Sequence, residues 1–402
     1  MKTVAVIAEF NPFHNGHAGI LRKAKEITGA DYCLVVMSGD FCQRGEAALI
    51  EKYTRTRMAL ANGADAVFEL PHYYALGSAE YFALGAVSLL QKLGVVDTLV
   101  FGSECAQIGR LHTIARILAD EPPAFRLHLQ RNLKQGDDFP TARMKALAIC
   151  MPEDKKGAKL IEEKNNLLGV EYIKQIMKLK ARIEPVTVKR TAGVDAFSIR
   201  QSLLSQQKRI RKAQMPESCA MLLRDYPSHA GHAYAVQEEI FPGLVHVLSL
   251  ENEEGVAKIA DVGPELAARI YKTLPGVLNL QDFIAALHTK DLTQARVRRA
   301  LMHIFLHMPQ SSYDTLLRKR TVYARVLGFK KSASPLLNRI KAEGKVPLIT
   351  RLAQAKKQLA DDPQALTLLR EDIRASFVYD RCFLKKEAYP VRSEYEKQLI
   401  IV

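Results

Sequence analysis

The run Val4-Ala5-Val6-Ile7-Ala8 contains no polar side chain and leads through a short loop into His14-Asn15-Gly16-His17. A helical pattern follows, Ala18-Gly19-Ile20-Leu21-Arg22-Lys23-Ala24-Lys25. So short and wholly apolar a segment reads as a strand buried on both faces, which belongs inside a parallel sheet. The pattern recurs at Tyr32–Met37, Ala66–Leu70, Thr98–Phe101 and Pro185–Val188, with helical stretches between, such as Tyr53–Asn62 and Ser78–Leu93. Strands alternating with helices predict an α/β, Rossmann-like domain over residues 1–205, its parallel sheet covered on both faces. Ligands of such sheets sit at the carboxyl ends of the strands. Neither a Gly-x-Gly-x-x-Gly fingerprint nor a Walker A motif occurs, so the common dinucleotide and P-loop readings fail.

The two histidines fall where the first strand hands over to its helix. The free N–H groups and positive dipole end of that helix favour an anion. Imidazoles beside it would donate to phosphate oxygens as charge builds on them, and Gly16 would let a nucleotide approach the backbone. This points to attack at an α-phosphate. From spacing alone, a simple helix start stays open, as does a zinc site, although Cys33 and Cys42 make no close pair to complete one.

The formal net charge is +15 on 402 residues, an excess that suits a polyanionic partner such as nucleic acid. Six cysteines at irregular spacing imply no disulfide framework. No leader-like segment and no uncharged membrane-length stretch is evident, so a cytoplasmic protein without membrane attachment is expected.

Beyond residue 205 strand signals thin out, and residues 206–402 read as a helical, basic domain, with helices expected at Pro264–Lys272, Leu292–His307 and Pro347–Lys357. Basic clusters stand at Lys208–Lys212, Arg296–Arg299, Arg318–Arg320 and Lys330-Lys331, with Tyr313 and Tyr323 available to stack on unpaired bases. Each cluster alone is equally a solvated helix face. Val262-Gly263-Pro264 and Leu274-Pro275-Gly276 read as a nucleic-acid-gripping helix-turn-helix or as ordinary helix caps, the latter being simpler.

Glu9-Phe10-Asn11-Pro12-Phe13-His14-Asn15-Gly16-His17 resembles the His-x-Gly-His signature of the nucleotidyltransferase superfamily. Further blocks resemble the tRNA(Met) cytidine acetate ligase family: Val36–Glu46, Lys52–Arg55, Glu69–Pro71, Ser78–Phe82, Phe101–Glu104, Asn165–Tyr172, Val188–Arg190 and Tyr323–Phe329. The similarity runs in order along nearly the whole chain. It implies that ATP and acetate form acetyl-adenylate, and that the wobble cytidine of elongator tRNA(Met) takes the acetyl group on N4. Mg2+ would accompany ATP. The resemblance implies a nucleotide site of Ile7, Ala8, Glu9, Phe10, Asn11, Pro12, Phe13, His14, Asn15, Gly16, His17 and Ile20, with Gly102, Asn165, Lys189, Arg190, Ser198 and Arg200. Catalytic roles are expected for His14, His17, Asp40 and Lys189. Asp40 either orients the cytidine amine or a water, or caps the segment after it. No protein-held metal is expected.

One segment departs from the family pattern. Where a Ser/Thr-rich stretch is usual, the chain has Val194-Asp195-Ala196-Phe197-Ser198-Ile199-Arg200, with aspartate for a serine and phenylalanine for a threonine. Phenylalanine donates no hydrogen bond and aspartate repels phosphate. Two other readings stay open: a nucleotidyltransferase acting on a small metabolite, and a non-catalytic RNA-binding relative.

Overall fold

The computed structural model describes residues 1–190, 195–205, 214–229, 233–384 and 392–402. The basic cluster Lys208–Lys212 and the loop 191–194 lie outside them. Among the described residues ten strands form: β1 (Thr3–Ala8), β2 (Tyr32–Ser38), β3 (Phe41–Cys42), β4 (Glu46–Ala47), β5 (Ala66–Leu70), β6 (Thr98–Ser103), β7 (Glu184–Lys189), β8 (Ala324–Phe329), β9 (Leu348–Ile349) and β10 (Ile400–Ile401). Along the main sheet the order is β10-β8-β5-β2-β1-β6-β7, with β9 also paired to β8, while β3 and β4 make a separate hairpin. The five strands expected from the apolar runs all form, and they pair in parallel.

Period-two alternation splits their side chains between two cores. Ala5, Leu34, Val36 and Phe68 face one side, where the helices Ala79–Leu93 and Lys164–Lys178 pack. Val4, Val6, Cys33, Val35 and Val67 face the other, against α1 (Asn15–Thr28) and α2 (Lys52–Ala61). A third, smaller core fills the helices between Phe241 and Phe305.

The chain enters at β1, builds outwards through β2 and β5, then returns to the other flank of β1 with β6 and β7. This reversal opens a crevice at the carboxyl ends of β1 and β6, the usual ligand position of an open α/β sheet. The second half is mostly helical but also supplies strands. β8 runs antiparallel to β5, with Glu69 opposite Arg325 and Phe68 opposite Val326, and β10 adds in parallel outside it. The helix expected over Pro347–Lys357 is instead strand β9 followed by a helix at Leu352–Gln358, because Leu348 and Ile349 take up the ladder beside Ala324 and Arg325. Pro264 sits in the first turn of the helix Gly263–Thr273, which ends in a short turn at Leu274–Gly276, as the cap reading has it. Tyr313 and Tyr323 are not available for stacking: both are buried, and Tyr323 donates its hydroxyl proton to Asp372. In the cluster Arg296–Arg299, Val297 is fully buried and Arg299 is drawn in towards Asp261, which leaves Arg296 exposed.

Candidate active site

α1 begins with a capping box built from histidines. The N–H of Gly16 donates to Nδ1 of His14 (3.0 Å), and the N–H of His14 donates to Nδ1 of His17 (3.2 Å). Two helix-start donors that would otherwise lack partners are satisfied reciprocally. The imidazoles stack with centroids 3.6 Å apart, 21° from parallel. Because each Nδ1 accepts, the neutral rings carry their protons on Nε2, away from the backbone. They do stay neutral: burial and nearby Arg190 hold the pKa of His14 down at about 4. Burial together with His14 and Arg190 pushes that of His17 well below its usual value. Two parallel Nε2–H donors thus stand at the mouth of the crevice.

Gly16 serves this pair directly. A Cβ there would lie 2.8 Å from Cε1 of His14, so the ring needs the glycine in order to fold back over its own helix. Phe10 and Phe13 are fully buried and support His17, at 4.9 and 5.6 Å between ring centroids. They hold the histidine from behind. Asn11, joined to Pro12 by a cis peptide, accepts on Oδ1 from the N–H of Leu49 (2.8 Å) and on its carbonyl from Arg200 (2.8 Å). Ile7, Ala8 and Glu9, at and just past the end of β1, are half-buried, as is Ile20, while Asn15 is exposed at the start of α1. The Glu9 carboxylate accepts from the N–H of Gln43 (2.7 Å), and burial pushes its pKa up.

The register of β6 on β7 sets Gly102 opposite Val188 and Ser103 opposite Lys189. Arg190 then crosses Gly102, where a Cβ would lie 3.0 Å from the arginine Cγ and 3.7 Å from Cδ1 of Ile20. Gly102, Ile20 and Arg190 therefore gather on the side of His14, whereas Lys189 ends β7 exposed beside Ser103, one residue out of step with Val188, which packs on the α1 side. Asn165 reaches the same edge through Glu104. That carboxylate accepts from Nδ2 of Asn165 (2.5 Å) and the N–H of Asn166 (2.9 Å), and it lies 3.5 Å from Arg190. Burial acts to raise its pKa, but these bonds outweigh it and hold the group ionised. Glu104 and Asn166 were not singled out from sequence, where they stand unmarked inside motifs chosen for their neighbours.

Asp195 caps the helix Ala196–Leu204, accepting from both the N–H (2.9 Å) and the hydroxyl (2.7 Å) of Ser198. The aspartate thus caps the helix as a serine can, but brings a charge that His14 senses. Ser198 donates to Asp195, and Phe197 projects outward, 56% exposed. Arg200 is anchored on Asn11 and on Glu46 (3.1 Å).

Asp40 lies apart from the histidines. It is buried, its Oδ1 accepts from the N–H of Lys52 (2.8 Å), and Oδ2 stands 3.7 Å from Nζ of the same lysine. It thereby holds the first N–H of α2, whose cap residue is Glu51. Lys52 is completely buried among Glu69 (2.8 Å), Glu394 (3.0 Å), the Ser376 hydroxyl (2.7 Å) and Asp40. Arg325 joins Glu69 (2.9 Å) and Glu394 (2.6 Å). Arg55, also fully buried, donates to the carbonyls of Glu9 (2.8 Å), Ser38 (3.0 Å), Gly39 and Ile50 (3.0 Å). One guanidinium thereby ties together the carboxyl ends of β1 and β2, from which the site hangs. Among the described residues no group of three or more potential metal ligands stands together.

The model of the HIGH Nucleotidyl Transferase family matches residues 1–394. The tRNA(Met) cytidine acetate ligase of Caldicellulosiruptor saccharolyticus is 39% identical, over 94% of this chain and 94% of its own. That of Thermosipho melanesiensis is 35% identical over 100% and 99%. The crystal structure of Thermotoga maritima TmcAL bound with alpha-thio ATP superposes with a TM-score of 0.94 at 30% identity, covering both chains completely.

Proposed function

The chain belongs to the HIGH nucleotidyl transferase family and, within it, to the tRNA(Met) cytidine acetate ligases, and on that premise we propose that it makes acetyl-adenylate from acetate and ATP and passes the acetyl group to N4 of the wobble cytidine of elongator tRNA(Met). The observation that carries the reading is the pair of neutral imidazoles with both Nδ1 atoms engaged, which leaves two Nε2–H donors side by side.

In the first step an acetate oxygen attacks the α-phosphorus and pyrophosphate leaves. His14 and His17 donate to the α-phosphate oxygens as negative charge grows on them, and being preorganised they need no reorientation. Lys189 and Arg190 hold the outer phosphates, with Gly102 and Ile20 as the floor and Asn165 fixing the rim through Glu104. Arg200 positions the Asn11 end of the loop. Mg2+ would arrive with the triphosphate and neutralise part of its charge. In the second step the cytidine amine attacks the acetyl carbonyl carbon, N4 loses a proton and AMP departs. The roles of individual residues and the choice of acetate are part of the proposal. So is a cytoplasmic location, in keeping with the finding that no described helix is long and apolar enough to cross a membrane.

The test is incubation with ATP, labelled acetate and elongator tRNA(Met), then digestion and mass spectrometry. Acetylcytidine at the wobble position, lost in His17→Ala, is expected. Labelled adenylate transferred to a small acceptor with the tRNA unmodified would overturn the reading in favour of a metabolite nucleotidyltransferase.

A further inference from the structure

The helix Pro363–Phe383 has two working faces. Its inner face presents Asp372 to His72, Ser376 to Lys52 and Tyr379 to the carbonyl of Ala48. Its outer face presents Arg370, Arg374 and Phe377 at helical spacing, one stripe along the surface. This stripe forms one wall of an open cavity of about 340 Å³, completed by Ile373, Arg392 and Ser393. That size lies in the range of ligand sites.

The charge of the cavity is one-sided. Two carboxylates, Asp380 and Glu394, also line it, but each is neutralised from behind. Asp380 lies 2.6 Å from Lys397, and Glu394 is shared by Lys397 (3.1 Å), Arg325 and Lys52. Arg374 leans on the carbonyl of Leu306 (3.3 Å), whereas Arg370 and Arg392 have no acidic partner among the described residues. Phe377 stands at the rim, 51% exposed, with guanidinium groups on its own helix face. An exposed ring among guanidinium groups, two of them without an acidic partner among the described residues, suits a base that stacks while its phosphate is held.

We propose that this cavity binds an unpaired nucleotide of the RNA substrate, the base stacked on Phe377 and the flanking phosphates held by Arg370, Arg374 and Arg392. The proposal rests on the reading of the protein as a tRNA-modifying enzyme. It adds an anchoring point outside the nucleotide crevice, on a helix bonded through Tyr379 to the loop 48–49 that also fixes Asn11.

The experiment measures binding of elongator tRNA(Met) to the full-length protein over a range of salt concentrations, for wild type, Phe377→Ala, Phe377→Tyr and Arg370→Ala. Acetate-dependent ATP–pyrophosphate exchange, which requires no tRNA, is run alongside. Phe377→Ala should weaken tRNA binding roughly ten- to hundred-fold, with Phe377→Tyr restoring it. Arg370→Ala should lower the slope of log affinity against log salt by about one. Exchange should be unchanged in all. Wild-type tRNA affinity in both alanine variants, with exchange intact, would overturn the proposal. So would cytidine monophosphate binding that is lost in Phe377→Ala while tRNA binding persists, because the cavity would then be a mononucleotide site. Absence of exchange in the wild type would count against the acetate-activating reading, and the binding comparison would still decide the cavity.

Discussion

Gly16 is needed by His14 before it is needed by any ligand. Gly16→Ala pushes the ring off its cap, and a displacement of that order at the reacting atoms costs on the order of a hundredfold in rate. Acetate-dependent exchange should fall accordingly, with far-UV circular dichroism unchanged. The same cap predicts a pH effect. Unfolded, His14 protonates near 6.5; folded, only near 4. Between those values the unfolded chain binds the extra proton, so stability declines as pH drops from 6.5 towards 4, by about 1.4 kcal/mol per pH unit for this one group. His14→Asn, which keeps a capping oxygen, should remove that share of the slope in urea titrations. Histidine nitrogen NMR should find Nε2–H tautomers for His14 and His17 at neutral pH. Asp195→Asn keeps its own cap while removing a charge that raises the pKa of His14. It should lower the KM for ATP in the exchange assay by about two- to fivefold, the scale of one charge at a helix start. The pair was legible in the sequence because it stands between a buried strand and a helical pattern, inside the longer run Glu9–His17. Which nitrogen faces outward was not, since that depends on backbone donors only the fold supplies.

At the scale of elements, β1, β2, β5 and β6 were legible because each is an apolar run largely buried in the sheet, and β7, at the edge, because its short run is apolar at every second residue. β8 was not. Its second residue is Arg325, which belongs in a buried strand only when carboxylates meet it. Glu69 comes from the neighbouring strand and Glu394 from far along the chain, so nothing local announces them. α2 poses the same difficulty with Lys52 and Arg55, charged residues that read as solvent-facing and are fully buried. Lys52→Met should destabilise the protein by about 3–5 kcal/mol, because Glu69 and Glu394 lose a counterion without solvent to replace it. Arg55→Lys should lower exchange activity as well as melting temperature, since an ammonium cannot span the four carbonyls that the guanidinium joins.

At the scale of the whole molecule, the sheet draws on both halves of the chain, and a fragment of residues 1–205 should fail to give the cooperative melting of the full protein. It would expose the β5 edge and leave Lys52 facing Glu69 without Arg325 or Glu394. Differential scanning calorimetry of the two would check this. The buried ion cluster carries a consequence for how the protein is made. Asp40, Lys52 and Glu69 leave the ribosome early, Arg325 much later, and Glu394 and Lys397 later still. Until Arg325 emerges the chain therefore holds two carboxylates, Asp40 and Glu69, with the one ammonium of Lys52 to bury beside them. The sheet itself is finished only by β10 at Ile400–Ile401, so a nascent chain still on the ribosome lacks its completed edge.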